Sequence, residues 1–183
     1  MIMTTSKIHP ARQRKSVPAF TLVELLGVIV VIGILAGITL GGAGAVRRHA
    51  AVGQAKAEIA ALEAACARFQ AEIGSYPAST SANPSSAYNP SASGSPYQTA
   101  GRILFTNLFG TNQFNRAAGT KRYFEPKPSM VSSTNTANPF FVDPWGYAYG
   151  YYSDGTSAPL IWSTAGQTSQ AGTNKWITSW PRN

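Results

Sequence analysis

The sequence predicts an α+β protein in which a long amino-terminal helix precedes a head built around a small antiparallel β-sheet. Two observations predict the helix: residues 25–46 contain no charged side chain, and an apolar stripe at helical spacing follows them. A third observation predicts the sheet: Tyr147, Tyr149 and Tyr151 occupy alternate positions, and a turn sequence, residues 153–156, follows them. The hydrophobic half of the helix is predicted to cross a membrane, and the amphipathic half is predicted to pack on the sheet.

Composition limits the functions that the chain can serve. The 183 residues suffice for one domain and a segment for targeting or anchoring. Four of the 15 basic residues lie in residues 1–19, which contain no acid, so the rest of the chain has 11 Lys and Arg against 7 Asp and Glu, a balance of +4. Basic pairs such as Arg47-Arg48 and Lys121-Arg122 are typical of a solvated face, and we expect no nucleic-acid binding.

Cysteine and histidine are too few to predict a catalytic or metal site. Cys66 has no second cysteine with which to form an intrachain disulfide, and the apolar run separates His9 from His49. These positions indicate no nucleophile–base pair and no cluster of metal ligands, so we expect neither an enzyme nor a bound cofactor. Cys66 is expected to be a packed apolar residue.

The apolar run has the length of a membrane span, about 33 Å as a helix at about 1.5 Å per residue. A buried core helix, a secretory signal cut near residues 43–45 and a plain single-span anchor are the alternatives. Too little other apolar sequence is present to surround a core helix, and the run is longer than the apolar region of a secretory signal, inside which Glu24 would lie. A plain anchor leaves Glu24 unexplained, because an intramembrane carboxylate is costly without a partner. A cut between Ala19 and Phe20 would create an α-ammonium four positions before Glu24. In packed copies the carboxylate of one chain could pair with the ammonium of another and set the axial register.

The stretch AFTLVELLGVIVVIGILAG, residues 19–37, resembles the class III signal of type IV pilins and type II secretion pseudopilins. That signal joins a short basic leader, a small residue, Phe-Thr-Leu-x-Glu and an apolar helix. The resemblance implies a pilin-like fold, cleavage between Ala19 and Phe20 by a prepilin peptidase, N-methylation of Phe20, and assembly through Phe20, Thr21 and Glu24. The family usually has Gly before the cut, so we expect slower cleavage after Ala19.

An apolar stripe continues the helix beyond the apolar run. Its members are spaced by three and four positions and share one helical face: Val52, Ala55, Ile59, Leu62, Cys66, Phe69, Ile73 and Tyr76. The stripe predicts that the helix presses against the head, with a coiled-coil partner as the alternative. One helix is therefore predicted over residues 20–75, ended by Gly74 and Pro77. The segment GSYP is similar to the Gly-x-Tyr-Pro that closes the long helix of G-type pseudopilins.

Glycines weaken the apolar half of the helix. Gly41, Gly42 and Gly44 each cost up to about 1 kcal/mol relative to Ala, and many pilins have a proline where Gly41 stands. We expect the flexible segment that begins at Gly33 and ends at Gly44 to stretch or melt when subunits pack.

The predicted organisation has four parts and two features inside the last part. They are a basic leader (1–19), a transmembrane and polymerisation helix (20–46), an amphipathic helix (47–76), and a globular head (77–183) with a variable loop (78–140) and a β-hairpin (140–165).

Within the head, residues 78–100 are mostly small and polar, and they predict a surface loop. Residues 101–110 suit a short helix or a docking turn. Tyr147, Tyr149 and Tyr151 alternate along the first strand of the hairpin, which favours cross-strand packing over a stacking platform for bases or sugars.

The segment DPWGYAYGYYS resembles the Asp-Pro-Trp-Gly-x-x-Tyr segment of major pseudopilins of type II secretion. Asp143 before Pro144 is expected to fix a turn, and Trp145 to fill the gap between helix and sheet. The residues predicted to pack the head are Tyr76, Pro77, Asp143, Pro144, Trp145 and Gly146.

In that family a loop after the hairpin binds calcium through acidic residues. Here the loop keeps Ser163, Gly166 and Trp180 but contains no Asp or Glu. Calcium requires several oxygen ligands, normally with more than one carboxylate, so we expect the calcium site of the family to be lost. Lys175 is expected to replace the cation, and Trp176 to pin the loop.

Together these features predict a pseudopilin, a structural subunit of a type II secretion pseudopilus that helps to export folded proteins. The alternatives are a type IV pilus or competence pilin, and a membrane-anchored exported binding module. The resemblance implies a single-pass protein of the bacterial inner membrane with a cytoplasmic amino terminus and a periplasmic head, which later joins the filament. Its partners would be the membrane, prepilin peptidase, copies of itself, other pseudopilins and an inner-membrane assembly platform.

Overall fold

The computed structural model of the chain describes residues 20–91, 94–115, 117, 119 and 121–181, without the side chains of residues 38–43. Its helices are α1 (Leu22–Ile73) and α2 (Pro96–Phe109), and short 3₁₀ helices cover Pro128–Met130 and Gln170–Lys175. Its strands are β1 (Gly150–Tyr152), β2 (Leu160–Ser163) and β3 (Ile177–Thr178). The α+β class with a long amino-terminal helix is confirmed. The leader predicted over residues 1–19, with Ala19, lies outside the described residues.

Helix α1 begins and ends within about two residues of the helix predicted over residues 20–75. The chain divides into two compact units, Met1–Gly44 and Ala45–Asn183. Within the described part of the chain, no helix is both long enough and apolar enough to cross a membrane. The span predicted over residues 20–46 stays a prediction.

The second half of α1 packs on the head through the predicted apolar stripe. Its buried members are Ala55, Ile59, Leu62 and Cys66, and its partly buried members are Val52 and Phe69. The stripe fails at Ile73, which is 56% exposed. The chain leaves the helix at Gly74, whose φ is +90°, and Tyr76 rather than Ile73 packs against the core.

Among the described residues of the head, three strands form an antiparallel sheet in the order β1-β2-β3. Strands β1 and β2 form the predicted hairpin, with Gly150 opposite Trp162 and Tyr152 opposite Leu160. Strand β3 pairs with the other side of β2 and was not predicted, because only two residues form it. Helix α2 packs against β1, so the core lies between the two helices and the sheet.

The segment predicted as a surface loop, residues 78–100, is partly packed into the head. Ser79 and Ser153 exchange two backbone hydrogen bonds of 2.9 Å each, and Ala82 is fully buried. Helix α2 begins at Pro96, about five residues before the predicted short helix. The prediction of a surface loop was wrong for this part because it relied on composition. Small side chains are only weakly apolar, but they let the backbone pack directly against its neighbours.

Candidate functional site

The amino-terminal end of α1 contains the residues predicted to act in assembly. Phe20 is 79% exposed. The backbone N–H of Thr21 donates to Glu24 Oε2 over 2.9 Å and its hydroxyl donates to the same oxygen over 2.8 Å, while the backbone N–H of Glu24 donates to Thr21 Oγ1 over 3.3 Å. This reciprocal pattern is a capping box, which satisfies backbone donors that the first turn of a helix leaves free.

The capping box gives Thr21 a role at the start of the helix, in addition to the assembly role that the resemblance implies. It gives the Glu24 carboxylate partners within its own chain, before any other copy arrives. The signal was present in the sequence, because Thr followed three residues later by Glu before an apolar run is typical of a helix start. The scissile bond itself includes Ala19 and so lies outside the described residues.

The apolar half of α1 presents its side chains to the surroundings on every face. The large apolar side chains from Leu22 to Leu35 are between 49% and 79% exposed in the single chain. A helix that is apolar all round requires lipid or other protein to cover it.

Helix α1 runs without a break through the flexible segment predicted from the glycines. At Gly33 and Gly44 an added Cβ would meet nothing within 4 Å. Gly41 and Gly42 lie among residues 38–43, whose surroundings are not described. The predicted stretching concerns packed subunits and stays a prediction.

The Asp-Pro-Trp-Gly turn is built around a buried carboxylate. Asp143 is 3% exposed, and its Oδ1 accepts the backbone N–H groups of Trp145 at 3.0 Å and Tyr147 at 2.9 Å. Its Oδ2 accepts the hydroxyl of Ser163 at 2.5 Å. Burial raises the pKa of the Asp143 carboxyl, and these hydrogen bonds oppose the rise. Gly146 closes the turn with φ +83°, a conformation that favours glycine.

The end of α1 is joined to the hairpin by the segment that contains Tyr76 and Pro77. The N–H of Tyr76 donates to the carbonyl of Gly155 over 2.9 Å. The hydroxyl of Tyr151 donates to the carbonyl of Pro77 over 2.5 Å. The structure therefore places both predicted residues between helix and sheet.

Trp162 is the largest fully buried side chain inside the core, and Trp145 packs against that core from a partly buried position. Trp145 is half-buried and lies against Gly166, where an added Cβ would come within 3.6 Å of its ring. Trp162 is fully buried, and its indole N–H donates to the hydroxyl of Tyr97 over 3.0 Å. The sequence did not predict the burial of Trp162, because its partners Tyr97 and Trp176 are distant along the chain.

The carboxy-terminal loop is held by aromatic contacts. Trp176 stacks on Trp162 with ring centroids 5.9 Å apart and 18° between planes, and Trp180 meets Trp162 edge-on at 5.8 Å. Lys175, which was expected to replace a cation, is exposed and takes part in neither ion pair of the described chain. The described residues also contain no group of three or more His, Cys, Asp and Glu that could hold a metal ion.

A further polar contact joins α1 to the hairpin. The hydroxyl of Tyr149 donates to Glu58 Oε2 over 2.6 Å, and Gln54 donates to Glu58 Oε1 over 2.8 Å. Burial, together with Glu58, raises the pKa of the Tyr149 hydroxyl.

Cys66 lies on the buried face of the same helix. Burial raises the pKa of its thiol to about 12, so the thiol stays protonated and packs as an apolar group.

Comparison with known proteins gives two matches. Residues 14–40 match the family model described as the prokaryotic N-terminal methylation motif. The chain is 26% identical over 148 residues, 81% of its own length and 82% of the relative's, to type II secretion system core protein G of Pseudomonas aeruginosa strain PAO1. No solved structure matches the chain.

Proposed function

We propose that this chain, which belongs to the pseudopilin family, is a structural subunit of a type II secretion pseudopilus that helps to export folded proteins. The methylation motif over residues 14–40 and the similarity to core protein G over 81% of the chain support this function. The structural observation that carries the proposal is the capped Glu24 at the start of a helix whose apolar side chains are exposed on all faces. The family is structural rather than enzymatic, and we propose no enzymatic activity for the chain.

Processing prepares the subunit for assembly in this proposal. A prepilin peptidase cuts between Ala19 and Phe20 on the cytoplasmic side of the inner membrane, and the new amine of Phe20 is methylated. The basic leader keeps the amino terminus in the cytoplasm, since Lys and Arg favour that side. The head is then periplasmic.

Assembly covers the apolar half of α1. Lipid covers it first, and neighbouring copies and other pseudopilins cover it in the filament that an inner-membrane platform builds. Inside the filament the Glu24 carboxylate of one copy pairs with the Phe20 ammonium of another. In a low dielectric two paired ions are strongly favoured over two unpaired ones, so the pair sets the axial register.

The proposal is tested by replacing Glu24 in the full chain, expressed with a type II secretion system. Glu24→Gln keeps a hydrogen-bond acceptor for Thr21 but removes the charge, so we expect normal cleavage at Phe20 by mass spectrometry and loss of regular filaments by electron microscopy. The matched control is Glu125→Gln, which removes an exposed carboxylate that pairs with Arg122 on the head and should leave filaments unchanged. Normal filaments from Glu24→Gln, or a mature chain that begins elsewhere than Phe20, would contradict the proposal.

A further inference from the structure

A pair of arginines follows the apolar run directly. The charge-free residues end at Val46, and Arg47 and Arg48 are the next two residues of α1. Both side chains are exposed. At a rise of about 1.5 Å per residue, the second arginine lies only about 3 Å beyond the end of the run.

This pair differs from the other basic pair of the sequence. Lys121 and Arg122 each form one of the two ion pairs that occur among the described residues, at 2.5 Å and 2.9 Å. Arg47 and Arg48 form neither of them. An exposed pair without an intramolecular carboxylate has its donors available for an external anion.

No carboxylate on α1 lies within reach of the pair. The residues from 25 to 57 contain no Asp or Glu. The first acidic residue after the pair, Glu58, is ten positions beyond Arg48, about 15 Å along the helix. Its two oxygens already accept hydrogen bonds from Gln54 and Tyr149.

We propose that Arg47 and Arg48 bind phosphate groups of anionic phospholipids where the apolar run leaves the membrane. This inference rests on the proposed function, because it requires residues 20–46 to enter the bilayer. A guanidinium binds phosphate through two parallel hydrogen bonds, and juxtamembrane arginines are attracted to anionic lipid surfaces. The position of the pair puts both side chains at headgroup level when the apolar run fills the hydrocarbon.

Cleavage of the leader makes the pair more important. The leader carries Lys7, Arg12, Arg14 and Lys15, and all four leave with it when the chain is cut after Ala19. The chain that begins at Phe20 has no Lys or Arg before the apolar run, whereas Arg47 and Arg48 directly follow the run. They hold the processed subunit at a defined depth until neighbouring copies replace the lipid.

The inference is tested with the full chain in neutral detergent, titrated with phosphatidylglycerol or phosphatidylcholine and followed by native mass spectrometry. The wild-type chain is expected to retain phosphatidylglycerol in preference to phosphatidylcholine. Each arginine near an anionic surface contributes about a five-fold gain in affinity, so Arg47→Gln/Arg48→Gln should weaken phosphatidylglycerol binding by about thirty-fold. Arg47→Lys/Arg48→Lys should bind at an intermediate level, because lysine keeps the charge but loses the planar fork.

The matched control is Arg68→Gln/Lys127→Gln, which removes one charge from an exposed position of α1 and one from an exposed position of the head and should bind lipid as the wild type does. Equal retention of the two lipids, or an equal loss in the control, would overturn the inference. So would displacement of phosphatidylglycerol by inorganic phosphate beyond the effect of sodium chloride at the same ionic strength, because it would indicate a site for free phosphate.

The same preparations separate this inference from the proposed function. A chain that is processed at Phe20 and forms filaments but shows no lipid preference contradicts the inference alone. A chain that is not processed at Phe20 contradicts the proposed function, whatever lipid it retains. Normal lipid binding combined with lost filaments in Arg47→Gln/Arg48→Gln would assign the pair to contacts between copies and would also overturn the inference.

Discussion

At the scale of single residues, the missing side chain at Gly150 lets the hairpin close over Trp162. A Cβ built on Gly150 would lie 2.0 Å from one ring atom of Trp162 and 2.3 Å from the next. Trp162 is itself fixed by its hydrogen bond to Tyr97 and by the stacked Trp176. Its ring therefore has little room in which to move away.

We expect Gly150→Ala to lower the free energy of unfolding by about 1–3 kcal/mol, the usual cost of overpacking a core. Urea unfolding of the full chain in detergent, followed by tryptophan fluorescence, measures the change. Gly53→Ala is the control, because a Cβ there meets nothing within 4 Å on the exposed face of α1, and stability should stay equal or rise by up to about 1 kcal/mol. Equal stability of Gly150→Ala and Gly53→Ala would be inconsistent with the packing described.

Asp154 makes the hairpin turn sensitive to acid. Its Oδ1 accepts the N–H groups of Thr156 and Ser157, both at 2.8 Å, and these bonds lower the pKa of the carboxyl from 3.8 to about 2. A lowered pKa in the folded chain means that its contribution is present above the unfolded value and is lost as pH falls through the folded value.

We therefore expect Asp154→Ala to lower the Tm at pH 6, with a difference from the wild type that fades between about pH 4 and pH 2. Thermal unfolding followed by circular dichroism across this range is the measurement. Asp143→Asn should show the opposite pH trend. Burial raises the pKa of Asp143, so its carboxyl favours the fold more as pH falls, and the Tm of the wild type should rise relative to that of the variant. A difference at Asp154 that persists at pH 2 would show that its ionisation does not support the turn.

At the scale of elements, the carboxy-terminal loop shows how aromatic packing can hold a segment that lacks acidic ligands. Residues 163–181 contain no Asp or Glu. Trp176, which directly follows the second 3₁₀ helix, is 7% exposed and stacks on Trp162. We propose that this stack orders the loop in place of a cation.

This proposal predicts that calcium leaves the Tm of the full chain unchanged, and that a chelator has no effect either. Trp176→Ala should lower the free energy of unfolding by about 3 kcal/mol and increase hydrogen exchange in residues 164–180. Lys175→Ala, at the exposed neighbouring position, should change neither measurement. A rise in Tm on adding calcium would show that other oxygen ligands form a site.

At the scale of the whole molecule, helix α1 contributes residues to both compact units, and the side chains of its two halves differ in burial. In the first unit the described apolar side chains from Leu22 to Leu35 are exposed, while α1 residues of the second unit bury one stripe against the head. The glycines of the flexible segment belong to the first unit or its boundary. Melting there would let subunits adjust their spacing without disturbing the head.

We expect the triple substitution Gly41→Ala/Gly42→Ala/Gly44→Ala to stabilise the helix by up to about 1 kcal/mol at each position and to reduce filament formation. Filament counts by electron microscopy and the helical geometry by cryo-electron microscopy test this. Gly53→Ala, in the amphipathic half, is the matched control and should leave filaments at wild-type numbers. An unbroken helix over residues 33–44 in wild-type filaments would argue against the role given to these glycines.

The sequence by itself determined the features that depend on neighbours along the chain. The apolar run, the stripe from Val52 to Phe69 and the hairpin turn each follow a period or a local turn preference, so helix α1 and the pairing of β1 with β2 could be predicted. The amino-terminal motif is equally local, which is why Phe20, Thr21 and Glu24 could be named.

Only the tertiary structure decided which distant residues meet. Trp162 stacks on Trp176, Ser79 pairs with Ser153, and Glu58 meets Tyr149 across 91 positions of sequence. Such contacts depend on how the helix and the sheet pack together. The sequence around each residue does not specify that packing. The exposed end of the stripe at Ile73 has the same origin, because burial depends on where the head stops covering the helix.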